Sequence, residues 1–447
     1  MIVLLILALT SHSYSIDLEQ SVLSALDHSI DIKQQSSNIL FDQKALADAK
    51  KQFDPKYRIK ASAGKSESSI RVWDKDAQLS PTINLQTKYG TNLSVTQAYS
   101  YYNDEIKPLT FSLTQPLVRG LSSEINQLPI TEARDNLIKS EINEQNLNNQ
   151  VIIQVVEAYL KLRSAIEQNE MERLQFEEHQ TEMASQIQKF ESGKISQEDL
   201  TQDRIQSDQL QLHAKKGELE KAQATKAFIQ LTGIYFQDGD TLEHPAITWE
   251  LPGVTDAIEQ SFKNNRELIL DDMNVQSNSR KIKQAEDNLL PDLSFNFLHK
   301  SDLHGRHYNV TKNEISVDLS YEFNFGEKNH DLEKVTQDYQ YSQLQHINKM
   351  ENLASDIDYQ IAAIENLTEQ IRISQSGIDH EAELVKGNEI SYQHGKESLS
   401  DLHKSKHQLL KKQSDLFKQS SELALSKLRL ADNMGIDLLP IILGENI

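Results

Sequence analysis

Two periodicities alternate along this chain. Met350, Ile357, Ile364, Ile371, Ile378, Val385 and Tyr392 repeat every seventh residue, and Val155, Leu162, Asn169, Phe176, Met183 and Phe190 form a weaker counterpart. Sustained heptads predict long helices supercoiled on their neighbours. Between the helical tracts the period drops to two. "EISVDLSYEFNF" predicts one twelve-residue strand, with Ile315, Val317, Leu319, Tyr321, Phe323 and Phe325 on one face. Glu314, Ser316, Asp318, Ser320, Glu322 and Asn324 take the other. "DLSFNF" does the same with Leu293, Phe295 and Phe297, and "LTFSLTQPL" with Leu109, Phe111 and Leu113. Such strands fit a transmembrane barrel with a wet interior, although a soluble sheet over a helical core has the same period. The smallest such barrels need about eight strands, so on the barrel reading the chain oligomerises.

The pattern occurs twice. "FESGKISQEDL" (from Phe190) and "YQHGKESLSDL" (from Tyr392) overlay without a gap, and the same shift carries Gly233-Ile234 onto Gly435-Ile436, where each helix is expected to stop at a C-capping glycine. "LEQSVLSALDHSIDIKQQ" (from Leu18) resembles "VTDAIEQSFKNNRELILDD" (from Val254), and each is followed by a helical tract ending at Pro55 or Pro291. The expected first repeat is 16–234: a helix, strands over 57–115, a long helix over about 121–191 and a return helix over about 196–233. A linker at 235–252 leads to the second repeat, 253–436, with strands over 292–325, a long helix over about 327–392, a return helix over about 398–434 and a tail at 437–447. At 1.5 Å per residue each long helix spans roughly 100 Å and each return helix about half that.

Composition narrows the classes. Only 38% of residues are apolar, with 15 Gly and 9 Pro in 447 residues, which suits long solvated helices better than several globules. A net charge of −21 without a Lys/Arg stripe argues against nucleic acid as a partner. The absence of cysteine removes disulfides, thiolate chemistry and a lipid-anchored cysteine. Residues 1–15 read as a secretory signal: apolar Ile2 to Leu9, then Ser13-Tyr14-Ser15 as a small-x-small cleavage pattern. Enzyme signatures are lacking, and "SAGKS" at Ser62 falls in a strand region without phosphate-loop spacing. No cofactor is implied.

The opening "LEQSVLSAL", the strand ending "LTQPLVRG" and the twin "GK…DL" turns resemble TolC-like outer-membrane efflux proteins, over essentially the whole mature chain. The resemblance implies an α+β membrane protein: a transmembrane β-barrel of twelve strands, continuous with a long α-helical coiled-coil periplasmic barrel and built by a homotrimer. It implies the outer-membrane exit duct of a tripartite efflux pump or type I secretion system, energised indirectly by an inner-membrane transporter. Gly193, Lys194, Gly395 and Lys396 then correspond to the periplasmic tips that meet a membrane-fusion adaptor protein. Asp401 takes the place of the outermost acid of the family's gate. Lys404 stands where the family often has another acid, so an Asp401–Lys404 latch is an alternative to an acidic ring. One departure is an additional alternating pair, "TINLQTKYG" and "TNLSVTQAYSY", which either decorates the extracellular mouth or adds strands to the barrel. His299, His304 and His307 form a loose histidine cluster without carboxylate spacing that specifies a metal geometry. His403 and His407, four apart on a helix, make at most a weak two-ligand site, and most such pairs are solvated. The competing reading is an exported, elongated coiled-coil adaptor or scaffold of the cell envelope.

Overall fold

A computed structural model describes residues 15–67, 73–101, 105–237, 240–243, 249–301, 312–321, 323, 325–394 and 396–444. The expected signal segment, His304, His307, Glu322, Asn324 and Gly395 lie outside the described residues, as does the end of the tail. The first half runs β1 (Ser15–Ile16), α1 (Leu18–His28), α2 (Ile30–Lys50), β2 (Lys56–Glu67), β3 (Trp73–Gln86), β4 (Asn92–Thr96), β5 (Tyr99–Ser100), β6 (Glu105–Ile106), β7 (Leu109–Pro116), α3 (Ser123–Asn126), α4 (Leu128–Glu191), α5 (Gln197–Thr232) and β8 (Thr241–Leu242). The second half runs α6 (Val254–Asn264), α7 (Arg266–Leu289), β9 (Asp292–Ser301), β10 (Lys312–Ser320), α8 (Phe325–Gln393), α9 (Leu399–Asn433) and α10 (Leu438–Ile442).

Three local departures from the sequence pattern have local causes. The opening helix of each half is two helices, broken at Ser29 (ψ 122°) and Asn265 (ψ 121°). Ser and Asn offer the backbone side-chain alternatives to helix: the Ser29 hydroxyl accepts from Ile32 N–H, and Asn265 Nδ2 donates to Asn433 O at 2.7 Å. The long helix expected from about 121 restarts at Leu128, because Pro129 lacks an N–H and is tolerated only in a first turn. Finally, β10 ends at Ser320 and Phe325 already belongs to α8, so the twelve-residue strand is a nine-residue one. Glu327 in the first turn of α8 suits the positive helix N-terminus.

Packing divides the chain across its repeats. One compact unit takes residues up to Gln34, Glu144–Arg266 and Met350 onward; the other takes Gln35–Asn143 and Glu267–Lys349. The first unit holds the apolar core. Val22, Ile152, Val155, Leu162 and Phe228 are fully buried there, and Ile357, Ile361 and Ile364 pack with Ala257, Leu430 and Met434 in a second cluster. The heptad seam thus buries one stripe, while later members such as Phe176 and Met183 are half-buried. Tyr159 is fully buried, and its single hydroxyl proton lies between Ile16 O and Glu243 O, both at 2.9 Å. It thereby ties the short parallel β1–β8 pair to α4. Burial is the main cause that pushes its phenol well above the usual tyrosine range.

The second unit holds an antiparallel sheet in the order β10-β9-β7-β4-β3, with β2 pairing β3, the short β5 continuing beside β3 and β6 pairing β5. Facing residues match in character: Phe297 lies opposite Ile315, Phe295 opposite Val317, and Tyr57 opposite Ile83. Among the described residues the sheet is open, with no strand paired to the outer edges of β2 and β10.

Tyr159→Phe should lower stability by about 1 kcal/mol, the usual net value of one hydrogen bond. Tyr159→Ala should cost about 3–5 kcal/mol through the cavity beside Phe228. Thermal unfolding of the purified protein should rank them in that order, and equal midpoints would remove the hydrogen bond's role.

Candidate functional site

The two expected tips share a closing bond and a helix cap. At the first, Gly193 N–H donates to Phe190 O at 2.9 Å and Lys194 N–H to Lys189 O at 2.8 Å. This paired closure needs a left-handed residue, and Gly193 has φ +73°. A Cβ there would meet nothing within 4 Å, so glycine is required by the backbone and not by crowding. Ser196 then caps α5 in a reciprocal box: Asp199 N–H donates to Ser196 Oγ at 3.1 Å and Ser196 N–H to Asp199 Oδ2 at 3.0 Å. The Ser196 hydroxyl and N–H hold the Asp199 carboxyl below its ordinary range. At the second tip Lys396 N–H donates to Ser391 O at 2.9 Å, the same five-residue reach. Asp401 N–H donates to Ser398 Oγ at 3.2 Å, and that hydroxyl donates to Asp401 Oδ2 at 2.6 Å. Lys194 and Lys396 are exposed.

Asp401 is therefore first a capping residue of α9, in the position Asp199 takes in α5. Its other oxygen is 4.0 Å from Lys404 Nζ, and both side chains are exposed. Such a surface pair contributes little within one chain.

One turn along α9, two histidines do more than the sequence indicated. His403 Nδ1 is 2.9 Å from Glu182 Oε1, and His407 Nε2 is 2.7 Å from Glu178 Oε2. Their side chains are only 21% and 17% exposed. An i, i+4 histidine pair on α9 thus meets an i, i+4 glutamate pair on α4. That pairing is visible in the sequence only when helices from different repeats are known to be neighbours. On its other side α9 meets α8 through Lys406–Glu389 at 2.8 Å and Lys412–Glu381 at 2.6 Å. Glu381 is largely buried, so losing Lys412 would strand a charge, the costly way to break such a pair. The return helix supplies the basic partner and the long helices the acidic one.

Elsewhere, His299 sits on β9 with Nδ1 2.6 Å from Asn313 Oδ1 on β10. No group of three or more His, Asp or Glu among the described residues is arranged to hold a metal ion. Ser62 and Lys65 lie within the extended β2, which cannot cradle a phosphate. Among the described residues no helix is long and apolar enough to cross a membrane.

Residues 257–435 match the family model described as outer membrane efflux protein. No curated protein matches the chain significantly. The fold is similar to that of the Campylobacter jejuni CmeC outer membrane channel, with 15% identity, TM-score 0.69, and coverage of 94% of this chain and 85% of that one. A structure of CusC in transmembrane channel formation gives 14% identity and TM-score 0.68 over 95% and 94% of the two chains. The Vibrio cholerae outer membrane protein VceC gives 14% and 0.67 over 94% and 96%. The family model falls on the helices that carry the second tip, and the fold of outer-membrane channels extends over both repeats. The second repeat thus carries the sequence signature of the outer membrane efflux protein family, and the whole chain shares the fold of outer-membrane channels.

Proposed function

We propose that three copies of this chain form one duct, the outer-membrane exit of a tripartite efflux pump or type I secretion system. The sheets of the two repeats close together into a membrane barrel, and the helices of 16–234 and 253–436 form the periplasmic tube. Energy comes from an inner-membrane transporter through an adaptor docked at the tips. The observation that carries this reading is the open, one-sided sheet. Its edges β2 and β10 have no partner among the described residues, and Ile315, Val317 and Leu319 on β10 are 68%, 61% and 68% exposed. In hydrocarbon such edges must be paired, and one chain has too few strands to close a barrel of about eight on itself, so the partners are further copies. Exposed Leu40 and Phe41 on α2, and Tyr341, Leu344 and Ile347 on α8, leave further apolar surface for neighbouring chains.

Arg placed at Val317 or Leu319 should cost on the order of 2–4 kcal/mol if these side chains reach the bilayer midplane, while Arg at Ser316 should be far milder. The readout is the amount of heat-stable trimer in outer membranes, and equal tolerance at all three positions rejects the barrel.

The tips dock the adaptor. Gly193→Val forces a β-branched residue to φ +73°, a strain on the order of 1–2 kcal/mol confined to the turn. Together with Gly395→Val it should reduce co-purification of the adaptor and impair export while the trimer persists. Normal export from a correctly assembled double variant would show that the adaptor docks elsewhere.

Asp401, with Lys404, narrows the periplasmic entrance when three copies meet. Capping and gating separate cleanly, because Asp199 has the same cap without the gate assignment. Asp401→Ala should raise single-channel conductance at low salt or shift cation preference, and Asp199→Ala should leave both unchanged. Identical traces for the two variants would reduce Asp401 to a cap.

A further inference from the structure

The first half contributes more sheet than the second, and the surplus lies in the middle of the sheet and not at its rim. β4 and β5 keep one register on β3: Leu93 faces Leu85, Val95 faces Ile83 and Tyr99 faces Leu79. Between them Gln97 N–H donates to Pro81 O at 3.1 Å, so residues 92–100 act as one strand. β6 and β7 likewise form one strand with a bulge. Tyr99 faces Ile106 while Val95 faces Phe111, one residue out of step, and Lys107 N–H donates to Ala98 O at 2.8 Å. Pro108, with no N–H to give, falls in that bulge, where a strand tolerates it. β7 then pairs β9 along its whole length, from Leu109 opposite Ser301 to Pro116 opposite Ser294. Remove this hairpin and β3 loses its link to β9.

Both strands of the hairpin have the same two faces as the rest. Leu93 and Leu113 continue the row that runs on through Phe297 and Ile315, and Val95 and Phe111 lie on the same face in the next row, which ends at His299 and Asn313. On the opposite face Ser94 Oγ lies 2.6 Å from Ser112 Oγ, and Thr82 Oγ1 lies 3.1 Å from Thr96 Oγ1. A hairpin decorating the mouth would have no need of a greasy row in phase with both neighbours. At roughly nine to twelve residues each, the two strands also have the length a bilayer crossing requires.

We infer that the hairpin strands 92–100 and 105–116 are membrane wall, their apolar face against lipid acyl chains. Each chain then supplies six wall strands, four from the first repeat and two from the second. Resting on the three-chain duct proposed above, this gives an eighteen-stranded barrel, where two strands per repeat would give twelve. Barrel diameter grows roughly in proportion to strand number, and barrels of about 16–18 strands leave an open aqueous channel. The mouth is about 1.5 times as wide and about twice the cross-section of a twelve-stranded one.

The absence of cysteine allows single-cysteine variants of the full chain to be read without background. Val95→Cys, Val317→Cys, Ser94→Cys and Ser316→Cys carry a bimane fluorophore in proteoliposomes containing brominated phosphatidylcholine, and native mass spectrometry counts the chains. Val95→Cys should be quenched as strongly as Val317→Cys, with both serine positions unquenched and open to a membrane-impermeant maleimide, in assemblies of three chains. Quenching at Val317→Cys but not at Val95→Cys overturns the inference and leaves the barrel standing. No quenching at either overturns both. Assemblies of another size overturn the count of eighteen. Should Val95→Cys not assemble, Leu113→Cys on the facing strand reports the same surface by the same criterion.

Discussion

A strand edge cannot be left open in hydrocarbon, because each unpaired N–H and C=O there lacks even water as a partner. Among the described residues the sheet ends on two edges, the 12-residue β2 and the 9-residue β10, and on the membrane reading proposed above both require a partner. Much of the molecule follows from that constraint. The strands are amphipathic and in phase, since a single residue of slip in any register would turn a greasy row toward the polar face. The one slip present, at the Lys107-Pro108 bulge, restores the phase and brings Ile106 opposite Tyr99. The helices leave surface open as well: α2 has no buried residue.

The helical unit solves a different problem. Long helices with so little apolar content cannot be held by a wide hydrophobic face, so the seam is narrow and polar contacts supply direction. Buried Asn149 illustrates this. Its amide donates to Asp432 Oδ1 at 2.7 Å and to Ile436 O at 2.9 Å, while its carbonyl accepts from Leu438 N–H at 3.2 Å. Every hydrogen-bonding group of that side chain is engaged at the turn where α9 ends, and a fully satisfied buried amide fixes one arrangement. Farther along, the basic side of α9 meets Glu178 and Glu182 on α4 and Glu381 and Glu389 on α8. Individually most of these pairs are weak. Together they define which faces of three helices turn toward one another.

The Gly-Lys turns need far less. At the first, left-handed Gly193 ends one helix, and at both a Ser with Asp three residues later begins the next. All the bonds that close a tip lie within about ten residues, from Lys189 to Asp199 at the first. Asp401 serves the same cap at the second tip, which is why an acid at that position carries two readings, structural and functional, on one side chain.

The division between sequence and tertiary structure follows the range of the interactions. Features set within a few residues were legible in the sequence: the heptad seam, the strand alternations and the capping glycines at 233 and 435. The Pro129 restart and the Ser29 and Asn265 breaks were equally local but weaker, since one residue's preference competes there with a continuous helical pattern. What lay beyond the sequence depended on which segments become neighbours. His403 and His407 resembled solvated residues until α4 brought Glu178 and Glu182 to them, more than two hundred residues away along the chain. The surplus hairpin had the right alternation, but alternation is the same for a decoration and for a wall. Only the pairing of β4 with β3 and of β7 with β9 placed it inside the sheet, because register is a relation between strands and no strand carries it alone.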